Sequence, residues 1–371
     1  MVFPSSLPAA PALRHKTVVI ADDSVLVRGL FARWLGEAGH FHVVAVAGDG
    51  ETALAHASRF KPDVMVLDLD MPGIDPAAAL PRILKESPHT GILLAATLNE
   101  RNTRLALECM TQGAMDVVSK PDSRSGMTLS LDFRSEFLLK LGNILQTPVK
   151  PGSLPPEIDT ELAQVGPVNL RPLVSMMPRY LVIGASTGGP RAVAKVLFDI
   201  GEGLTDLTTV VVQHMPPLFT ASFAEQVSAQ IGIPAREPFD GERLVRGTVY
   251  IAPGGRHLGI DRRLGHIVAR IGDEAPVNFC RPAVDVLFSD AARHLGAAAL
   301  GLVLTGMGSD GTDGAGALRQ AGAAVIAQDE PSSTIWGMPG SVVRARHASA
   351  VIALDEIGAS IRCLVRGARS A

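Results

Sequence analysis

Short, largely apolar runs alternate with helical patterns in two series along this chain, and most of the runs lead into a polar residue. From Thr17 to about Gly142 the runs are Thr-Val-Val-Ile-Ala, Phe-His-Val-Val-Ala-Val-Ala, Asp-Val-Met-Val-Leu, Gly-Ile-Leu-Leu-Ala-Ala and Met-Asp-Val-Val-Ser. Strands this short and this apolar bury both faces, which requires a parallel sheet covered by helices on both sides. A second series begins at Tyr180, with strands expected near 180–185, 208–214, 247–252, 298–304 and 323–328 and helices near 190–198, 219–230, 283–295 and 312–321. His257 to Ile271 alternates around Asp-Arg-Arg-Leu-Gly and reads as an antiparallel hairpin, so this second sheet is expected to be mixed. Ile357, Ile361 and Leu364 stand at helical spacing in a closing helix that docks on the second unit. The fold class is α/β: a five-stranded parallel domain followed by a doubly wound, mixed-sheet domain.

Between the two series, residues 147 to 178 carry seven prolines and little periodicity, and proline removes the backbone donors that a sheet needs. The expected organisation is a flexible tail over 1–16, a first domain over 17–145, a linker over 146–178 with a helical turn near Pro156 to Gln164, and a second domain over 179–371. A length of 371 residues suits two such units. The formal net charge of −3 provides no basic field for nucleic acid. Cys109, Cys280 and Cys363 are too scattered for a disulfide framework or a metal-spaced pair, which fits a reducing cytoplasm. No uncharged apolar run reaches the roughly 18 residues of a membrane span, so membrane insertion is not expected.

Ligands of parallel α/β sheets gather at the carboxyl ends of the strands. In the first domain those ends carry Asp22 and Asp23, Asp68, Thr97 and Lys120. Three converging carboxylates repel one another unless a cation neutralises them, and hard oxygen ligands suit Mg²⁺. One carboxylate would remain free to attack a phosphoryl donor, with Lys120 pairing the added charge. The competing reading is that Asp22 and Asp23 cap a helix and Asp68 only ends a strand.

In the second domain Ser186 lies on the glycine-rich turn of Leu-Val-Ile-Gly-Ala-Ser-Thr-Gly-Gly, His214 ends Thr-Val-Val-Val-Gln-His, and Asp310 follows Leu-Thr-Gly-Met-Gly-Ser. Such a set permits acyl transfer: Ser186 as nucleophile, His214 as its base, and Asp310 to orient the imidazole. Amides near Thr187, Gly188 or the Gly306-Met307-Gly308 loop would receive the oxyanion. Each residue also has a structural reading. Ser186 would cap the next helix, His214 would close a strand, and either Asp310 or Asp313 would cap the helix through Ala315 and Leu318. A dinucleotide site fits poorly, since Ser186 stands where G-x-G-x-x-G needs its second glycine.

Two resemblances sharpen these readings. Val-Val-Ile-Ala-Asp-Asp-Ser, Val-Leu-Asp-Leu-Asp-Met-Pro-Gly-Ile-Asp and Val-Val-Ser-Lys-Pro make residues 17 to 145 resemble a response-regulator receiver domain. The resemblance implies that Asp68 is the phosphoacceptor, that Asp22, Asp23 and Asp68 form the Mg²⁺ pocket, and that Lys120 contacts the phosphoryl group. Three positions depart from the family pattern: Ala96 where a switch Ser or Thr is usual, with Thr97 next; Pro76 where Gly is favoured; and Val117 where an aromatic often stands.

Residues 180 to 366 resemble the catalytic domain of the chemotaxis protein-glutamate methylesterase family. They carry Gly-Ala-Ser-Thr-Gly-Gly-Pro, Gln-His-Met-Pro-Pro-Leu-Phe-Thr-Ala-Ser-Phe-Ala, Tyr-Ile-Ala-Pro-Gly-Gly-Arg-His-Leu, Arg-Pro-Ala-Val-Asp-Val-Leu-Phe and Leu-Thr-Gly-Met-Gly-Ser-Asp-Gly in family order. The resemblance implies Ser186, His214 and Asp310 as nucleophile, base and orienting acid, with Thr187 and Met307 near the oxyanion and His257 and Arg281 as secondary cleft residues. It further implies hydrolysis of glutamate methyl esters on methyl-accepting chemoreceptors, deamidation of receptor glutamines, no cofactor for hydrolysis, and control by a chemotaxis histidine kinase. A phosphorylation-controlled binding protein without turnover is the competing class, and a DNA-binding response regulator would need a basic recognition helix that the second half lacks.

Overall fold

The computed structural model describes residues 15–97, 99–120, 131–146 and 170–366. The first unit runs β1 (Lys16–Ala21), α1 (Val25–Ala38), β2 (Phe41–Ala47), α2 (Gly50–Phe60), β3 (Val64–Asp68), α3 (Pro76–Glu86), β4 (Gly91–Thr97), α4 (Glu100–Gln112), β5 (Asp116–Lys120) and α5 (Leu131–Gln146). Its five strands are all parallel, in the order β2-β1-β3-β4-β5. Strand order reverses between β1 and β3, which opens a crevice at their carboxyl ends. One face of the sheet is covered by α1 and α5 through Phe31, Trp34, Phe133 and Phe137, with the Phe31 and Phe137 rings stacked at 4.4 Å. Of the tail expected over 1–16, residues 1–14 lie outside the described residues, as does the expected turn at Pro156 to Gln164, whereas Lys16 already belongs to β1. At the end of the expected linker, Leu170 is buried and Arg171–Leu173 makes a single 3₁₀ turn.

The second unit runs β6 (Tyr180–Ala185), α6 (Gly189–Ile200), β7 (Thr208–Gln213), α7 (Phe219–Ile231), β8 (Ala235–Arg236), β9 (Thr248–Ile251), β10 (His257–Arg263), β11 (His266–Gly272), α8 (Val284–Leu295), β12 (Ala299–Val303), α9 (Thr312–Gln320), β13 (Ala324–Gln328), α10 (Met338–Arg344), β14 (Ala350–Ile352) and α11 (Leu354–Arg366). Its main sheet has seven strands in the order β14-β13-β12-β6-β7-β9-β8, and every pairing is parallel. The expectation of a mixed sheet is corrected here. The antiparallel pairing belongs to β10 and β11, which form a separate two-stranded sheet. Both hairpin strands bury one face through Leu258, Ile260, Ile267 and Ala269, in the same cluster as Leu287 and Phe288 of α8, so they are a lid over helix α8 and add nothing to the main sheet. Order reverses between β6 and β12, which puts the turns after these two strands side by side.

The first unit is pinned at the amino ends of β1 and β3, opposite its crevice. The amide and hydroxyl of Thr17 donate to Asp63 Oδ2 at 2.8 and 2.7 Å, and the Asp63 amide donates back to Thr17 Oγ1 at 2.9 Å. Burial by itself would raise the Asp63 pKa, but the Thr17 bonds and the Lys16 charge outweigh it and leave the carboxyl below its usual value. A group depressed in the folded state stabilises above its unfolded pKa of about 3.9, and that contribution is lost as pH falls through the folded value. Thr17→Val should therefore cost about 1 kcal/mol at neutral pH by urea denaturation, and the difference from wild type should shrink in acid. An equal difference at both pH values would remove this role from the Asp63 carboxylate.

Candidate functional site

The crevice of the first sheet is built by strand parity. Side chains alternate across a strand, so residues two apart share a face. Val18 and Ile20, Val64 and Val66, Leu93 and Ala95, and Val118 all belong to the core beneath α1 and α5. Continuing each strand by two residues reaches Asp22, Asp68, Thr97 and Lys120 on that same side. The register pairs Thr97 with Lys120 and Asp68 with Ala95. Ala96 points the other way, into the opposite core with Leu94. The strand-four hydroxyl is thus present at Thr97, and the departure expected at Ala96 is corrected by the pleat. Thr97 Oγ1 donates to Asp70 Oδ2 at 2.9 Å, and Asn102 Nδ2 reaches the same oxygen at 2.8 Å. Pro76 opens α3 behind the Asp75 cap, a position where its missing N–H costs nothing. Val117 is buried in the other core.

Lys120 Nζ lies 2.7 Å from Asp68 Oδ1 and 3.1 Å from Asp22 Oδ2. Burial would lower the lysine's pKa, but Asp68 and Asp22 carry it above its ordinary value. For Asp68 burial dominates and raises the carboxyl despite Lys120. Oδ1 of Asp68 also accepts the Asp70 amide at 3.2 Å, whereas Oδ2 is buried with no partner. Ligand oxygens of Asp22, Asp23 and Asp68 lie within 4.8 Å of one another. An orphaned carboxylate oxygen within such a set fits Mg²⁺, which takes oxygen ligands and leaves room for phosphoryl oxygens.

In the second unit Ser186 follows β6 directly. Its amide donates to Thr305 O at 3.0 Å after β12, and its carbonyl accepts from Gly189 N at 2.7 Å and from Gln213 Nε2 at 2.8 Å. The turn is closed by Gly188 at φ 75°, a left-handed conformation that favours glycine. Gly306 approaches so closely that a Cβ there would lie 2.8 Å from Ser186 Cβ and 2.4 Å from Met338 Sδ. Met307 is half-buried on the same turn. Neither Ser186 nor Asp310 caps its neighbouring helix: α6 and α9 start on Gly188 and Gly311, with no side-chain cap.

Asp310 instead serves α8, which has no cap of its own. Its Oδ2 accepts Val284 N at 2.7 Å and its Oδ1 accepts Asp285 N at 3.0 Å, while Oδ2 also meets His214 Nε2 at 2.9 Å. Burial works to raise Asp310, but the His214 bond and charge and the two amides win and hold it below the carboxylate range. Burial likewise works to lower His214. Its bonds to Asp310 and Cys280 reverse that and push it up to about 10.

The structure joins His214 to Asp310, and the strand register places Ser186 next to His214, since Ala185 pairs with Gln213. Among the described residues no hydrogen bond links the Ser186 hydroxyl to the imidazole. Nδ1 faces Cys280 Sγ at 3.6 Å instead. His257 is buried, taking Ala283 N on Nδ1 at 3.2 Å and meeting Ala275 O through Nε2 at 3.1 Å, so it braces the 273–283 loop. Arg281 lies in that loop, exposed, and donates to Asp273 O and Glu274 O.

First-unit residues that sequence reasoning passed over, Met115, Asp116 and Lys140, join the two sites into one molecule. Thr187 Oγ1 donates to Asp116 Oδ2 of β5 at 2.5 Å, and Gly188 N donates to Met115 O at 3.0 Å. Asp116 is held in turn by Lys140 at 3.2 Å, and α4 packs on α6 and α7. The first unit therefore covers the turn that carries Ser186. A lone Asp opening a strand gives no sequence signal of this contact.

A receiver-like sheet with an acidic crevice, joined to a parallel α/β unit with Ser, His and Asp at its strand ends, defines a two-component regulator with a hydrolase-type output domain. Residues 181–361 match the family described as CheB methylesterase, and residues 18–131 match the response regulator receiver domain. The chain is 36% identical to the protein-glutamate methylesterase/protein-glutamine glutaminase of group 2 operon of Bradyrhizobium diazoefficiens, over 95% of each chain. It is 39% identical to protein-glutamate methylesterase/protein-glutamine glutaminase 1 of Paramagnetospirillum magneticum, over 96% of this chain and 97% of the relative. The crystal structure of the Thermotoga maritima CheB methylesterase catalytic domain aligns with 36% identity and a TM-score of 0.49, covering 51% of this chain and all of that one. The chain belongs to the protein-glutamate methylesterase/protein-glutamine glutaminase family.

Gly306→Ala should displace Ser186, because the added Cβ would lie 2.8 Å from the serine Cβ. The expected result is at least about a tenfold slower reaction of the protein with a serine-directed fluorophosphonate, since small shifts at a reacting centre carry large rate penalties. Labelling at the wild-type rate would show that this close approach does not position Ser186.

Proposed function

We propose that this chain is a phosphorylation-controlled enzyme that hydrolyses methyl esters of glutamate side chains on methyl-accepting chemoreceptors and deamidates receptor glutamines, in the cytoplasm, under a chemotaxis histidine kinase. Among the described residues no helix is long and apolar enough to cross a membrane. The observation that carries the reading is the pair of half-buried His214 and buried Asp310 beside the Ser186 turn, in a chain that aligns over nearly its whole length with the named esterases.

Ser186 Oγ attacks the ester carbonyl. With its pKa pushed up to about 10 the His214 ring is mostly protonated at neutral pH, so the neutral fraction, with Nε2 committed to Asp310, accepts the serine proton through Nδ1 and returns one to the leaving methoxide, giving methanol and an acyl-enzyme. Water, deprotonated by the same ring, then releases the glutamate and restores Ser186. A glutamine amide follows the same path with ammonia as the leaving group. Amides of the Thr187 and Met307 turns hold the oxyanion, and no cofactor enters these steps. Methanol release from methyl-labelled receptor should fall at least about a thousandfold in Ser186→Ala. Release at an unchanged rate would exclude Ser186 as nucleophile and return the chain to the class of binding proteins.

In the first unit Asp68 accepts the phosphoryl group, Asp22, Asp23 and Asp68 hold Mg²⁺, and Lys120 pairs the new charge. When bound, Mg²⁺ neutralises the carboxylates and the incoming phosphoryl oxygens. Control follows from the contact that Met115 and Asp116 make with the Ser186 turn: phosphorylation shifts the population away from this covered arrangement. A charge-assisted hydrogen bond contributes about 1.5–3 kcal/mol, so Asp116→Ala should raise the unphosphorylated rate about tenfold. Asp68→Asn should abolish stimulation by a small phosphodonor with Mg²⁺. Stimulation of Asp68→Asn equal to wild type, or an unchanged basal rate in Asp116→Ala, would defeat the respective half of this account.

A further inference from the structure

We propose that Cys280 and His214 form a site for Zn²⁺ that switches hydrolysis off, with Asp310 as the carboxylate behind the imidazole. Zinc binds thiolate at about 2.3 Å and imidazole nitrogen at about 2.0–2.1 Å, so two ligands of one tetrahedral ion stand roughly 3.5 Å apart. Cys280 Sγ and His214 Nδ1 are 3.6 Å apart. Nε2 on the other side of the ring meets Asp310 Oδ2 at 2.9 Å, which leaves Nδ1 as the nitrogen that faces the sulfur. A carboxylate bonded to the far nitrogen is the usual support of a zinc-bound histidine. Ligand atoms of His214, Cys280 and Asp310 all lie within 4.8 Å of one another.

The sulfur is held over the ring by a built feature. Val277 and Cys280 exchange both backbone hydrogen bonds, at 3.1 and 2.8 Å, across a two-residue turn with Asn278 at φ 52° and Phe279 at φ 62°. A bulky residue in the left-handed region is strained, and the Phe279 side chain is fully exposed, so no packing of its own offsets that strain. What the turn does make is polar: Asn278 Nδ2 donates to Asp285 Oδ2 at 2.7 Å and reaches Asp310 Oδ1 at 3.3 Å. The turn thus locks Cys280 to the same carboxylate that orients His214. Thiolate with imidazole selects zinc, whereas the all-oxygen set of Asp22, Asp23 and Asp68 selects magnesium, so the two ions sort between the two units.

Binding replaces the thiol proton with the metal and occupies Nδ1, the nitrogen that takes the Ser186 proton; this consequence rests on the esterase reading. Full-length protein carrying Cys363→Ser, which removes the exposed thiol, should lose methanol release as buffered Zn²⁺ rises and regain it with a chelator. With Cys280→Ser added, about tenfold more Zn²⁺ or higher should be needed for the same fractional loss, each variant compared with its own metal-free rate. Co²⁺ provides a readout independent of turnover. A thiolate-to-cobalt charge-transfer band should form in the Cys363→Ser protein and in its Ser186→Ala derivative, and be absent with Cys280→Ser. Should Cys280→Ser fail to fold by circular dichroism, Cys280→Ala takes its place. Equal Zn²⁺ sensitivity with and without Cys280, no inhibition of the parent protein, or a cobalt band that survives loss of Cys280 would overturn the proposal. A band without any esterase activity would overturn the esterase reading and leave the metal site standing.

Discussion

One buried carboxylate organises the second unit. Asp310 is 2% exposed and satisfies the first two amides of α8, an imidazole at the end of β7, and an asparagine of the 273–283 loop. An anion is stable there because the start of a helix presents unpaired N–H groups and the positive end of its dipole. The service is returned. Asp285, in the first turn of α8, accepts Gly314 N of α9 at 2.7 Å, and burial pushes its carboxyl up to about 6. Two helices that lack side-chain caps of their own are therefore capped across the core by each other's neighbourhood. This exchange fixes the height of His214 above the sheet.

Both sites obey the same rule of sheet geometry and differ only in what the strand ends carry. At the β1/β3 reversal there are carboxylates and a lysine, a set for cations and phosphoryl groups. At the β6/β12 reversal there are a hydroxyl, an imidazole and a shielded carboxylate, a set for moving one proton. The covering of the second by the first works through a few polar contacts and the α4 helix, an interface of the kind that a modest change in free energy can open.

Much of this was legible in the chain. Parallel strands announce themselves because burial on both faces leaves no room for alternation, and the polar residue after most of the runs marks the strand's carboxyl end. Ser186, His214, Asp310, Asp68, Asp22 and Lys120 were all found that way. The sheet's antiparallel component was misplaced because a hairpin's alternation reports only that one face is buried, and α8 and its neighbours do the burying here. Strands β8 and β14, of two and three residues, are too short to carry a period. Alignment by motif put the fourth-strand hydroxyl at Ala96, whereas one step of pleat moves it to Thr97.

The sequence by itself determined the two sheets and the residues at their mouths, because apolar periodicity and turn chemistry are local properties of consecutive residues. Tertiary structure alone decided which nitrogen of His214 meets Asp310, that Cys280 stands against the other from 66 residues away, and that Asp116 meets Thr187 from 71 residues away. Hydrogen bonds between such distant segments depend on distances of a few tenths of an ångström. Those are set by how helices and loops pack, and no pattern along the chain encodes them.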